Sequence, residues 1–162
     1  VLKKNWKLLA STENAEPFNV FAECLDWEFP ASETKVQQEA MTKMADISTA
    51  NPNLDGTGTL AYVAEGAKDG TRVNSLSIKA QGDTANGMIR LFIKDDVGNI
   101  KLQREFRVPE SKQTKVVPAY GRKIIFEGGL HLPNDYMLLI STECADHFDL
   151  ITEGYTWEYK PV

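Results

Sequence analysis

Four carboxylates surround one histidine near the C-terminus: Glu143, Asp146, Asp149 and Glu153 flank His147. An imidazole among carboxylates is the equipment of general acid–base chemistry. The chain carries its own control, because the same stretch occurs earlier with Glu13, Glu16 and Glu23 at the places of Glu143, Asp146 and Glu153. There Pro17 stands for His147 and Asn19 for Asp149. Chemistry that needed the imidazole would not tolerate proline, so the group reads as the solvated face of a hairpin. A second constellation, Asn51-x-Asn53-x-Asp55-Gly56, imitates the first half of a calcium loop, with oxygen side chains at alternate positions before a glycine. Its twelfth position is Tyr62 where a bidentate glutamate is needed, which favours plain turn chemistry. The third constellation is aromatic: Trp6, Trp27, Tyr136, Tyr155, Trp157 and Tyr159 suit a sugar-stacking platform. Trp27 and Trp157 hold the same place in both copies of the stretch, which a core anchor between two sheets explains without a ligand. Neither histidine has a metal-ligand spacing, and no G-x-S-x-G or phosphate-binding glycine loop occurs.

The duplication organises the chain. Leu2 to Phe29 aligns without a gap on Leu132 to Tyr159 at an offset of 130 residues, and from Trp6 to Phe29 10 of 24 positions are identical. The identities are Leu8/Leu138, Leu9/Leu139, Ser11/Ser141, Thr12/Thr142, Glu13/Glu143, Ala15/Ala145, Phe18/Phe148, Glu23/Glu153, Trp27/Trp157 and Glu28/Glu158. Such a period is far longer than a solenoid repeat and matches an independent domain. Residues 1–30 are therefore expected to be the C-terminal part of a preceding repeat module, 31–46 a linker, and 47–162 a complete module. Val1 stands where His131 stands in the second copy, so a fragment of a longer tandem-repeat protein is expected.

The elements that must position these residues are strands. Short apolar/polar alternations are separated by turn-forming residues. They fall at about 58–64, 73–80, 88–94, 99–108, 115–119, 123–127, 136–142 and 148–159. In the linker, Thr34-x-x-Gln37 is a possible capping box for a short helix with Val36, Ala40 and Met44 on one stripe, and an extended polar tether suits the composition equally well. The pattern predicts an all-β fold, an antiparallel β-sandwich or jelly roll, preceded by the last strands of another copy.

A formal net charge of −5 and a pI near 5.1 leave no electrostatic footprint for nucleic acid or an anionic membrane. No apolar run is long enough to span a bilayer, and no signal peptide is visible. Cys24 and Cys144 occupy non-equivalent places in the two copies, which argues for free thiols rather than a disulfide built into the module.

Several motifs carry a family resemblance: Ile47-Ser48-Thr49-Ala50-Asn51 with Asp55-Gly56-Thr57-Gly58-Thr59, Ile78-Lys79-Ala80, Gly87-Met88-Ile89-Arg90-Leu91-Phe92-Ile93, and Leu132-Pro133 with Leu138, Ser141-Thr142 and Phe148. On these, residues 47–162 resemble a family of tailed-bacteriophage virion proteins, similar to small β-sandwich accessory proteins. The resemblance implies a non-enzymatic virion component, capsid-decorating, head-accessory or tail, that assembles with other virion proteins. It implies neither catalytic residues nor a cofactor. The alternative is a carbohydrate-binding module of a host-recognition fibre or surface adhesin. Trp6, Trp27, Tyr155 and Trp157 are the candidate ligand or assembly contacts under either reading.

Overall fold

Alternation with a period of two sets the fold. In the computed structural model, residues 34–161 are described, together with Lys7, Leu9–Thr12, Val20 and Ala22. All the regular structure among them is strand: β1 (Thr34–Ile47), β2 (Ala61–Glu65), β3 (Thr71–Ala80), β4 (Gly87–Lys94), β5 (Ile100–Val108), β6 (Gly121–Leu132), β7 (Met137–Thr142) and β8 (Phe148–Pro161). The strands pair antiparallel as nested partners, β4 with β5, β3 with β6, β2 with β7 and β1 with β8. Successive nested pairs fall alternately into two four-stranded sheets, ordered β1-β8-β3-β6 and β2-β7-β4-β5. A long hairpin wrapped in this way is a jelly roll, so the all-β sandwich expected from the alternation is what forms.

The inner faces of the sheets make one core. Ile47, Val73, Leu76, Ile78, Leu130, Leu132, Phe148 and Leu150 come from the first sheet, and Val63, Ile89, Leu91, Phe106, Leu138 and Ile140 from the second. Phe148 is fully buried and takes the edge of the Tyr120 ring. Phe92 and Leu139 are buried as well, but on the outer face of the second sheet. The β1–β2 loop lies over Phe92, its Gly56 backbone against Phe92 and Ile100. At φ +79° and with Ile100 already where a Cβ would stand, only glycine serves there.

Three expectations from the sequence differ from what forms. The stretch 31–46, read as a linker with room for a short helix, contains β1, which runs beside β8 in unbroken register from Thr34↔Pro161 to Ile47↔Phe148. Met41, Ala45 and Ile47 pack on the core while Met44 is 77% exposed, so the apolar spacing taken for a helical stripe belongs to a strand with two unlike faces. Local sequence there is permissive, and the long partner decides. Residues 115–119 form a turn instead of a strand: the Thr114 hydroxyl oxygen accepts from the Val116 and Val117 amides. The strand expected at 123–127 extends over Gly121–Leu132, interrupted by Gly128 and Gly129 at positive φ.

Phe148→Ala should cost about 3–5 kcal/mol, the range for truncating a buried aromatic, whereas Met44→Lys should change stability by less than about 0.5 kcal/mol. Urea unfolding curves of the two variants check both figures. A helical or tethered 34–47 would make both substitutions independent of the β1–β8 pairing.

Candidate functional site

β8 decides which of the singled-out residues share a face. Phe148, Leu150, Thr152 and Gly154 point inward and are buried. By parity, Asp149, Ile151, Glu153, Tyr155, Trp157 and Tyr159 lie on the outer face of the first sheet. The register sets them in rows across four strands: Ala40, Tyr155, Arg72 and His131; then Thr42, Glu153, Ser75 and Ile125; then Met44, Ile151, Ser77 and Lys123. Trp157 therefore lies on the outer face, half-buried, and does not join the core between the sheets. This corrects its assignment as an inter-sheet anchor, because it stands an odd number of residues from Phe148. Trp6 and Trp27 lie outside the described residues.

The half-burial of Trp157 has identifiable sources. Its ring centroid is 5.1 Å from that of His131, tilted by 43°, and its backbone N–H donates to the Gly70 carbonyl oxygen at 3.1 Å. Gly70, at φ +102°, leaves the space in which both rings meet: a Cβ there would stand 2.8 Å from His131 Cε1 and 3.2 Å from Trp157 Cε3. Arg72 is laid over the Gly129 backbone, again where a side chain would collide. Arg72 Nε and His131 Nδ1 are buried without a hydrogen-bond partner among the described residues. Burial holds the His131 imidazole below its ordinary pKa. Tyr155 and Tyr159 remain 40% and 50% exposed, and the Tyr159 N–H donates to Asp69 Oδ2 at 3.0 Å. The result is an outward-facing aromatic surface, Tyr155 and Tyr159 exposed and Trp157 half-buried, beside the partly buried Arg72 and His131.

The carboxylates around His147 are distributed among separate partners. Glu143 Oε1 lies 3.5 Å from Arg90 Nη2, and Arg90 Nε also donates to Glu105 at 2.8 Å. Asp146 accepts from the Ala85 N–H at 2.9 Å, and Asp149 from Gln81 at 2.7 Å. Glu153 accepts from Lys123 at 2.9 Å and from Ser75 at 2.8 Å, and these two donors hold its pKa below the usual carboxylate range, Lys123 contributing most. His147 Nε2 stands 3.7 Å from Asp46 on the surface. These contacts join strands and loops; they do not converge on one reacting point.

The Asn51 loop is closed by its own hydrogen bonds. Buried Asn51 donates from Nδ2 to the carbonyls of Thr57 and Thr59, both at 2.8 Å, and accepts from the Asn53 N–H at 3.1 Å. Asp55 Oδ1 accepts from the Thr57 N–H at 2.9 Å and hydroxyl at 2.7 Å, which lowers its pKa. The Asn51 N–H donates to the Thr142 carbonyl at 2.7 Å and pins the loop to β7. Among the described residues no group of three or more His, Cys, Asp or Glu is placed to hold a metal ion. Cys144 is a free, partly exposed thiol whose pKa is raised by desolvation, with Asp146 and Glu143 adding to it.

His131 and Arg72 were not singled out in the sequence. The signal that finds them is positional: Gly128-Gly129 two residues before His131, and Gly70 two residues before Arg72, each make room for a bulky neighbour.

Because folding depresses the His131 pKa, its contribution to stability is complete above the unfolded value of 6.5 and is lost as pH falls through the folded value. Wild-type protein should lose more stability between pH 7.5 and 5.5 than His131→Gln, measured by urea unfolding at each pH. Trp157→Ala should cost roughly 1–2 kcal/mol, less than a core aromatic of the same size, which the same curves at pH 7.5 check. No protein-family model matches the chain and no curated protein matches it, so the functional reading rests on the fold, the duplication and this outer face.

Proposed function

We propose that this chain is a non-enzymatic structural component of a phage virion, a capsid-decorating, head-accessory or tail protein that assembles through jelly-roll modules. The observation that carries the reading is where the internal identities fall. In the second copy, Phe148 fills the core, Glu143 pairs with Arg90, Glu153 bridges Ser75 and Lys123, and Trp157 covers His131. Phe18, Glu13, Glu23 and Trp27 repeat them. What the duplication retains is the set of residues by which the last two strands hold the rest of a jelly roll, as a chain of repeated modules requires. The resemblance of residues 47–162 to tailed-bacteriophage virion proteins supports the same assignment. The work of such a module is to present stiff outer faces to neighbouring subunits, and a net charge of −5 keeps it soluble until it is incorporated.

A second reading, carbohydrate binding on a host-facing fibre, draws support from the outward placement of Tyr155 and Trp157 on one face beside Arg72 and His131. Antibody raised against the purified chain should label phage particles from the source culture in a regular, many-copy pattern. Absence of the protein from purified particles would contradict the structural assignment. Binding on a glycan array that is abolished by Tyr155→Ala, in a variant of unchanged melting temperature, would favour the second reading.

A further inference from the structure

A sheet that does not close ends in strands whose outward N–H and C=O groups lack a neighbour, and proteins blunt such edges with short strands, bulges, prolines and charges. Among the described residues there are four edges, β1 and β6 on the first sheet and β2 and β5 on the second. Three of them are blunted. β2 has 5 residues, and its pairing with β7 shifts between Tyr62 and Ala64. β5 bulges against β4 at Leu91/Phe92 and carries Lys101, Arg104 and Arg107. β6 is interrupted by Gly128 and Gly129 at positive φ, and its pairing with β3 jumps from Leu130 to Ile125. β1 runs for 14 residues with no proline, no glycine and no shift of register, and among the described residues no strand lies beyond it.

Charge is the remaining protection, and in β1 it is arranged to select a partner. Glu39 is exposed, and the half-buried Lys43 lies over the Tyr62 ring. Both have the parity of Met41 and Ala45, which pack on the core. When a second β1 is added antiparallel about a two-fold axis, both faces of the joined sheet stay continuous only if even-numbered residues oppose even-numbered ones. The register that sets Met41 opposite its own copy also sets Lys43 of each chain opposite Glu39 of the other, and it takes in residues 35–47. Moving the centre to Ala40 or Thr42 opposes Glu39 and Lys43 to uncharged residues; moving it to Glu39 or Lys43 sets like charges against each other. Opposite charges directly across an antiparallel pair stabilise it and like charges destabilise it. The two-fold axis makes each such pair count twice.

We propose that β1 is the docking edge for a second copy of this chain, which adds its own β1 antiparallel with Met41 opposite Met41 and joins the two four-stranded first sheets into one. Main-chain hydrogen bonds supply the attraction, as in other strand additions, and the paired Lys43 and Glu39 fix the register. The outer faces of the two copies then lie side by side, so that the exposed rows of Met44, Ile151 and Tyr155 become one surface.

Sedimentation equilibrium of the full chain should give a reversible dimer of twice the 18.1 kDa of one chain. Glu39→Lys and Lys43→Glu should each weaken it about tenfold or more, and the double variant Glu39→Lys/Lys43→Glu should restore it. Where a single reversal lowers the melting temperature of the monomer, cysteines decide. With Cys24 and Cys144 replaced by serine, Met41→Cys should crosslink copy to copy under mild oxidation, and Ala45→Cys should not. The proposal is overturned by a chain that stays monomeric throughout the micromolar range, whether its β1 amides exchange freely or are covered from within the chain. It is equally overturned by a dimer that neither single reversal weakens, or that crosslinks alike from both positions. The purified chain is its own partner in this test, so failure here is distinct from failure of the virion assignment, which concerns particles.

Discussion

The module depends on β8 being held between β1 and β3. β8 supplies Phe148 and Leu150 to the core, and it is in register with β1 along its whole length and with β3 from Phe148 to Thr156. Without β1 the first sheet would end at β8 and Ile47 would leave the core; without the close approach to β3 the rows of outward residues would not align. That approach depends on one missing side chain, at Gly154, where the Arg72 carbonyl occupies the space of a Cβ. A single hydrogen at that position lets two backbones meet, and β3 bulges between Val73 and Ser75 immediately beside it.

From that constraint the outer face follows. Parity along β8 sends Glu153, Tyr155, Trp157 and Tyr159 outward, and glycines at 70 and 129 let His131, Trp157 and Arg72 lie flat against the sheet. The second sheet solves a different problem, because its outer face carries buried Phe92 and Leu139. The β1–β2 loop covers Phe92, stiffened by the Asn51 side chain and tied to β7 through the Thr142 carbonyl. One face is thus sealed by the chain itself, and the other displays exposed Met44, Ile125, Ile151, Tyr155 and Tyr159.

Much of the fold was legible in the sequence, and the failures have physical causes. β3 and β4 announce themselves by alternation, as in Leu76-Ser77-Ile78-Lys79-Ala80, and the repeat at an offset of 130 marks the stretch that holds β7 and most of β8 as one unit. β1 was not legible because Thr, Gln, Glu and Lys between scattered apolar residues suit a strand, a tether or a helix alike; its state is set by β8, more than a hundred residues away. Trp157 was misplaced because duplication reports that a residue matters without reporting which face it occupies. Counting parity from Phe148 would have placed it outward. Arg72 and His131 meet only through the irregular register of β3 and β6 around Gly128-Gly129, and no local pattern encodes that meeting.

The pairing of β1 with β8 is the claim on which the rest stands, and a cysteine pair reads it directly. Met44 and Ile151 are register partners on the exposed face, at a separation a disulfide spans without distortion. In a chain with Cys24 and Cys144 replaced by serine, Met44→Cys/Ile151→Cys should form an intramolecular disulfide under mild oxidation and melt at a higher temperature than its reduced form. Moving the first cysteine to Ala40 while keeping the second at 151 should give far less. Equal crosslinking from both positions, or none from either, would contradict the β1–β8 register and with it the jelly-roll closure.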